Sequence, residues 1–314
     1  MDLLAELRAK LGAISGYEGA EGVAAAVRHI VVAERYLTRG RDERDDDAFN
    51  DVIYRTNQAF EGMLKEALRV LVGAVAKNLT PSQIEQKLLE AKVLSSRVNV
   101  AVTRYRQEWR NPSTHDHTLL FTEQDALLAI VSVSAFAAVL LDQMLEVLSF
   151  RKRKAAVEQQ QSEVAAQLSG YGNLTFDQQV VALLQAFAGS IQADNVPQER
   201  SEAELLGELG GFLAAADPNL RITLGGRVGD RDVDVLLEKN GSQTAVDLKR
   251  GVSWQFYRAA ANQFATTLAG AGLQLGYVFI PPRNGADLMV VRHVRSLRHG
   301  AIVYVVAPKA DDEA

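Results

Sequence analysis

Residues 126–141, ALLAIVSVSAFAAVLL, are 16 consecutive positions without a charge. A run of this kind has to leave water, and its destination is either a bilayer or a protein core. A spanning helix takes about 20 apolar residues. This run is closed by Asp125 and Asp142 and contains Ser132 and Ser134. The length argument therefore predicts a helix buried in a bundle rather than a membrane span, and the neighbouring sequence must supply the other helices. Residues 19–38, 48–76 and 94–109 fit that need, being long stretches with little Gly or Pro. In 48–76, Ile53, Phe60, Met63, Leu64, Ala67, Leu68 and Leu71 recur near helical spacing. Thr80-Pro81-Ser82 predicts a cap and a short helix to about residue 90. Thr122 is the expected N-cap of the apolar helix, with Asp125 at its third position. The charged RGRDERDDD of residues 39–47 reads as a loop.

The chain has 314 residues, enough for two domains at roughly 100–200 residues each. It has no Cys, which excludes a disulfide scaffold, a thiol nucleophile and Cys-ligated zinc or iron–sulfur sites. The N-terminal MDLLAELRAK has early acids and no apolar leader core, so a cytoplasmic protein with no membrane partner is expected. Net charge is −5, yet Arg250 to Lys309 holds seven Lys/Arg against the single acid Asp287, a local +6 that suits phosphates.

The pattern changes after residue 175. Helices are predicted at 176–192, 201–216, 254–270 and 287–297, and strands at 221–224, 232–238, 244–248, 277–280 and 301–306. Asn240-Gly241 predicts a tight hairpin between the second and third strands. The expected fold class is α+β in two domains. An all-α bundle spans 1–150, a polar connector 151–175, and an α/β sandwich around a mixed sheet 176–314.

One cluster of chemistry lies at Glu108-Trp109-Arg110-Asn111-Pro112-Ser113-Thr114-His115. Pro112 is expected to end the preceding helix near Arg110, leaving Arg110 at a helix end and His115 in a turn. His moves protons near neutrality, and Arg offers a fixed planar charge to phosphate oxygens. Together they suit metal-free RNA cleavage, in which the 2′-OH attacks the adjacent phosphorus. The Arg-Asn-x3-His pattern in a helical setting resembles the RxxxxH motif of HEPN ribonucleases, over roughly residues 20–150. That resemblance implies catalysis by Arg110 and His115 with Asn111 supporting them, no cofactor, RNA as substrate and a homodimer through the helical half. It also implies a supporting acid on an earlier helix, for which Glu61 is the candidate. Asp116 and His117 read as phosphate contacts or solvated residues.

A second cluster lies on the hairpin. Asp247 and Lys249 alternate onto one face of a strand, and Asp234 on the neighbouring strand can meet them. Carboxylates of this kind hold Mg²⁺, which polarises a phosphodiester and activates water. An acid, a hairpin and then Asp-x-Lys, within an α-β-β-β-α-β order, resembles the PD-(D/E)xK nuclease core over about residues 176–306. The resemblance implies a restriction-endonuclease-like fold, Asp234 and Asp247 as metal ligands and Lys249 as catalytic. Asp232 is an alternative first acid. The helix carrying Glu202, Glu204 and Glu208 and the helix carrying Gln263 match the flanking elements, with Glu204 and Gln263 as accessory candidates. Trp254, Phe256 and Tyr257 beside the site are either base-stacking or core residues.

Jointly these resemblances imply a two-domain nuclease effector, acting on RNA and, through the second half, on RNA or DNA; a prokaryotic, anti-phage defence role is what fusions of such domains usually imply. The alternatives are a Mg²⁺-dependent DNA nuclease whose helical half only dimerises, and a non-catalytic protein that binds nucleic acid or a partner.

Overall fold

A computed structural model describes residues 2–309 except 116–117, 194–199, 230, 252, 283–288 and 296–299, with backbone alone at 115, 193, 293 and 295. The chain is mixed α and β and divides into two compact units, Met1–Leu148 and Ser149–Ala314.

The first unit is helical: α1 Leu3–Ile14, α2 Ala20–Glu43, α3 Asp47–Ala67, α4 Pro81–Glu90, α5 Ser96–Tyr105, α6 Asn111–His115 and the start of α7 Glu123–Gln159. Its aromatic centre is Phe60, stacked on Tyr105 with ring centroids at 4.6 Å and tilted against Phe136 at 5.0 Å. Helices α2 and α3 form an antiparallel hairpin close enough that a Cβ at Gly40 would lie 2.5 Å from the Phe49 ring. The loop expected at 39–47 is mostly helix. Arg39 pairs with Glu43 one turn on at 3.1 Å and with Asp45 at 2.7 Å, so the charges brace α2 rather than break it. Only Arg44, in the left-handed region at φ 54°, closes the helix.

Helix α7 has two faces. Ala126, Ala129, Val133, Phe136, Ala137, Leu140 and Leu141 are buried, while Leu127, Leu128, Val131 and Val139 on the other side are 37–46% exposed. The expectation of a buried helix therefore holds for half of it. By length and composition, α7 is the one helix among the described residues able to cross a membrane, and half of its most apolar window is buried.

The second unit takes in the end of α7, α8 Gln161–Gln167, a 3-10 turn Tyr171–Asn173, α9 Phe176–Ala193, α10 Glu202–Ala216 and α11 Trp254–Gly270. Its six strands are β1 Arg221–Val228, β2 Arg231–Lys239, β3 Ser242–Leu248, β4 Leu275–Phe279, β5 Met289–Arg295 and β6 Ile302–Pro308. Sheet order is β1-β2-β3-β4-β6-β5. The first three strands are antiparallel, β3–β4 and β4–β6 are parallel, and β5 returns antiparallel to β6. One face packs on α9 and α10 through Leu183, Phe187 and Phe212. The other packs on α11 through Tyr257, Ala261 and Phe264. The β2–β3 hairpin turns at Asn240 and Gly241, with φ of 51° and 81°, the pair of positive values that a two-residue hairpin requires.

The helix expected at 287–297 is instead strand β5 over its described part. Val290, Val291 and Val294 are β-branched and favour a pleated surface, and β6 offers a free edge that pairs with all seven β5 residues.

Candidate functional site

The hairpin cluster forms where the β2–β3 ladder stops. The last paired rung is Val235 with Val246, and the next in register would be Asp234 with Asp247. Instead the Asp234 Oδ2 accepts the Leu248 N–H at 2.8 Å, so a side chain takes over from a backbone carbonyl. The same rung is skipped on the other side of β2, opposite Gly225 at φ 57°. There both strands change face. Leu224 and Val235 pack on the α9/α10 side, whereas Val228 and Val233 pack on the α11 side. Ideal alternation would keep Val233 and Val235 together. The twist turns Asp234 sideways onto the end of β3, and glycine at 225 permits it.

Asp247 lies against Asp234, and its Oδ1 accepts the Lys249 Nζ–H at 2.9 Å. Burial, followed by the neighbouring Asp234 charge, pushes the Asp247 carboxyl up to about 6 despite Lys249. Burial pulls the Lys249 ammonium down, but its hydrogen bond to Asp247 and the charges of Asp247, Asp234 and Glu202 outweigh this and raise it. Lys249 is thus a firmly protonated cation. The group sits at the carboxyl end of β3, beside the carboxyl end of its parallel neighbour β4, where the Lys249 N–H donates to the Phe279 carbonyl at 2.9 Å. Open α/β sheets bind ligands at this end.

Helix α10 sorts its three acids. Ser201 caps it, and Glu204 closes a capping box, its carboxylate accepting the Ser201 N–H at 2.8 Å. Glu204, an accessory candidate from the sequence, is therefore a helix cap. Glu208 pairs with Arg200 at 3.1 Å. The Arg250 guanidinium bonds the Arg200 carbonyl, tying the start of α10 to the end of β3. Glu202 is the acid whose charge reaches Lys249. Sequence reasoning missed that distinction, although the Ser201-x-x-Glu204 spacing marks a capping box and so frees Glu202.

Asp232 is exposed and lies 3.9 Å from Arg227 on β1, so the first acid of the cluster is Asp234. Gln263 is exposed on α11 and makes no hydrogen bond to these acids among the described residues. Tyr257 is core, Trp254 is covered by the Arg292 guanidinium at 4.8 Å, and Phe256 is 38% exposed. Among the described residues no three His, Asp or Glu side chains form a ready cage for a metal. Two carboxylates that repel each other are nonetheless a donor set fitting Mg²⁺, which commonly takes one or two carboxylates and keeps several waters.

The first unit holds the other cluster. Residues 96–115 are helical throughout, so Pro112 does not end the helix. A π-helical turn, Arg106–Arg110, lets the Asn111 N–H reach back to the Arg106 carbonyl. Pro112 lacks an N–H, and its ring would strike the Glu108 carbonyl in a regular helix. The widened turn relieves that clash, and π turns of this kind recur at functional sites. Arg110 Nη1 donates to Asn111 Oδ1 at 3.2 Å, and its Nε lies 3.8 Å from Glu61 Oε1 on α3. That Nε is buried and makes no hydrogen bond, so Glu61 holds it as an ion pair alone.

The turn is tied to α3 by a relay. The Tyr105 hydroxyl donates to Asn57 Oδ1 (3.2 Å), Asn57 Nδ2 to Ser113 Oγ (2.8 Å) and Ser113 Oγ to the Arg110 carbonyl (3.1 Å). Asn57 and Ser113 carried no signal in the sequence beyond polar side chains in helical stretches. His115 is the last residue of α6, and Asp116 and His117 lie outside the described residues.

Comparison with family models, curated proteins and solved structures finds no match to this chain.

Proposed function

We propose that this chain is a nuclease with two centres, one in each unit. The observation that carries the reading is the convergence of Asp234, Asp247 and Lys249 at the carboxyl end of β3. It occurs within the helix–three-strand–helix–strand order of α10, β1–β3, α11 and β4 that a PD-(D/E)xK core requires. Asp234 and Asp247 would hold Mg²⁺, while Glu202 acts on Lys249 rather than on the ion. The ion would supply polarisation of the phosphate and a more acidic water. Lys249, held protonated, orients a water against the phosphate and offsets negative charge that grows in the transition state. Exposed Arg250 and Arg258 draw in the phosphodiester.

The first unit is read as a metal-independent, HEPN-like ribonuclease. Its support is the Arg110–Asn111–Glu61 arrangement on a π turn. In that reading Arg110 binds the scissile phosphate and His115 transfers the proton. The exposed apolar side of α7 supports a homodimer, because an uncharged stripe can meet its own copy across a two-fold axis. The proposed role in anti-phage defence rests on what fusions of two such domains usually imply.

The test is cleavage of labelled RNA and DNA by the full chain, with Mg²⁺ or with EDTA. Lys249→Ala should abolish the Mg²⁺-dependent cutting by 100-fold or more, on the order expected for a lost transition-state contact. His115→Ala should abolish the EDTA-resistant cutting of RNA, whose product is a 2′,3′-cyclic phosphate. If both variants cut as the parent does, the activity lies elsewhere.

A further inference from the structure

Among the described residues only two aromatic rings are more than a third exposed, Tyr54 at 58% and Phe256 at 38%. Tyr54 stands in an ordered group. The Arg55 guanidinium lies 5.8 Å from the Tyr54 ring centroid and 6.0 Å from that of Tyr36 on α2. Arg55 Nη1 donates to Gln58 Oε1 at 2.9 Å, and Gln58 Nε2 donates to the Tyr54 hydroxyl at 3.1 Å. These contacts fix the ring while leaving more than half of the residue open to solvent.

The surroundings are cationic. Among the described residues neither Arg55 nor Arg28 has a carboxylate partner. Burial, then the charges of Arg55 and of the adjacent Arg28, lower the His29 pKa, so Arg55 reaches toward this part of α2. A guanidinium without a carboxylate partner, set against a fixed aromatic face, suits a polymer of bases and phosphates, which can stack on the ring and meet the charge.

The group also has a position relative to the motif. Gln58 and Glu61 follow Tyr54 along the same face of α3, and Glu61 lies against Arg110. At 1.5 Å per residue, Tyr54 and Glu61 are about 10 Å apart along the helix. We propose that Tyr54, held by Arg55 and Gln58, is a base-stacking subsite for single-stranded RNA, gripping a nucleotide next to the one whose phosphate meets Arg110. The proposal rests on the RNA-cleaving reading of this unit and specifies how that centre takes its substrate.

The experiment measures binding of a fluorescent single-stranded RNA to the full-length protein carrying His115→Ala, with Tyr54→Ala, Tyr54→Trp or Arg55→Ala added. Cleavage by the same Tyr54 and Arg55 variants is followed without the His115 change. Tyr54→Ala should weaken binding about tenfold, the size of one lost stacking contact. Tyr54→Trp should restore it, and in the cleaving protein KM should rise while kcat holds. Unchanged binding and KM in Tyr54→Ala, in a protein that cuts RNA, would overturn the proposal. So would a shift of Tyr54→Ala to a smaller species in sedimentation, which would make this face a protein interface. If the parent does not cut RNA yet Tyr54→Ala still binds it less well, the subsite stands and the catalytic reading of Arg110 and His115 fails.

Discussion

Asp247 holds the sharpest tension between stability and function in the molecule. Burial and the Asp234 charge raise its carboxyl to about 6 from an ordinary value near 3.8. The folded chain therefore binds this proton more tightly than the unfolded chain does. That contribution is full below about 3.8 and is lost as pH rises through about 6. At pH 7.5 the ionised pair strains the metal-free fold, so Asp247→Asn should raise the melting temperature in EDTA while removing Mg²⁺-dependent cleavage. Cleavage by the parent should in turn decline as pH falls through about 6, because a protonated Asp247 is no metal ligand. A thermal scan and a pH–rate profile measure the two effects. The acids of α10 divide in the same way. Glu202→Gln removes one of the charges that raise Lys249 and should slow Mg²⁺-dependent cleavage with little change in stability. Glu204→Ala, which removes the acceptor of the Ser201 N–H, should cost about 1 kcal/mol of stability and leave the Mg²⁺ dependence alone.

Among the elements, β2 is pinned at one end by a pair that bears no relation to the candidate site. Lys239 Nζ donates to Asp217 Oδ2 at 2.7 Å and to Gln179 Oε1 at 2.8 Å, and the Tyr171 hydroxyl donates to the same Asp217 oxygen at 2.7 Å. Burial favours the neutral acid, but Lys239, Tyr171 and the Asn219 N–H outweigh it and hold Asp217 below its ordinary value. This stabilisation is present above pH 3.8 and is lost as pH falls through the lower folded value. Lys239→Ala should destabilise the fold by about 3–5 kcal/mol at pH 7, because it strands a buried carboxylate. The deficit should shrink in acid, as urea titrations at the two pH values would reveal.

The elements themselves were largely legible in the sequence. Asn240-Gly241 fixed the hairpin, and the Thr80 and Thr122 caps marked the starts of α4 and α7, whereas the Ser201 and Ser253 caps were not read. What was not legible came from tertiary compensation. Pro112 reads locally as a stop, and only the π turn behind it lets the helix continue. Residues 289–295 mix helical and strand spacing, and a free β6 edge decides between them. The chemistry of the hairpin was legible because strand alternation puts Asp247 and Lys249 on one side. The sideways turn of Asp234 was not, since it depends on Gly225 one strand away.

For the whole molecule, the open side of α7 and the two proposed centres make separable demands. If that face joins two copies, Val131→Glu, at a position 43% exposed, should leave the fold intact and convert the protein to monomer in sedimentation. RNA cleavage should fall with it, while cutting at the hairpin centre persists. Two centres in one chain also predict two activities with opposite responses to chelation. The most direct measurement of the central claim is Mg²⁺-dependent phosphodiester cleavage by the parent and by Lys249→Ala, each repeated in EDTA. The account predicts cutting by the parent that needs Mg²⁺ and is lost in Lys249→Ala, even where EDTA-resistant RNA cleavage remains. Mg²⁺-dependent cutting of equal rate in Lys249→Ala would contradict it.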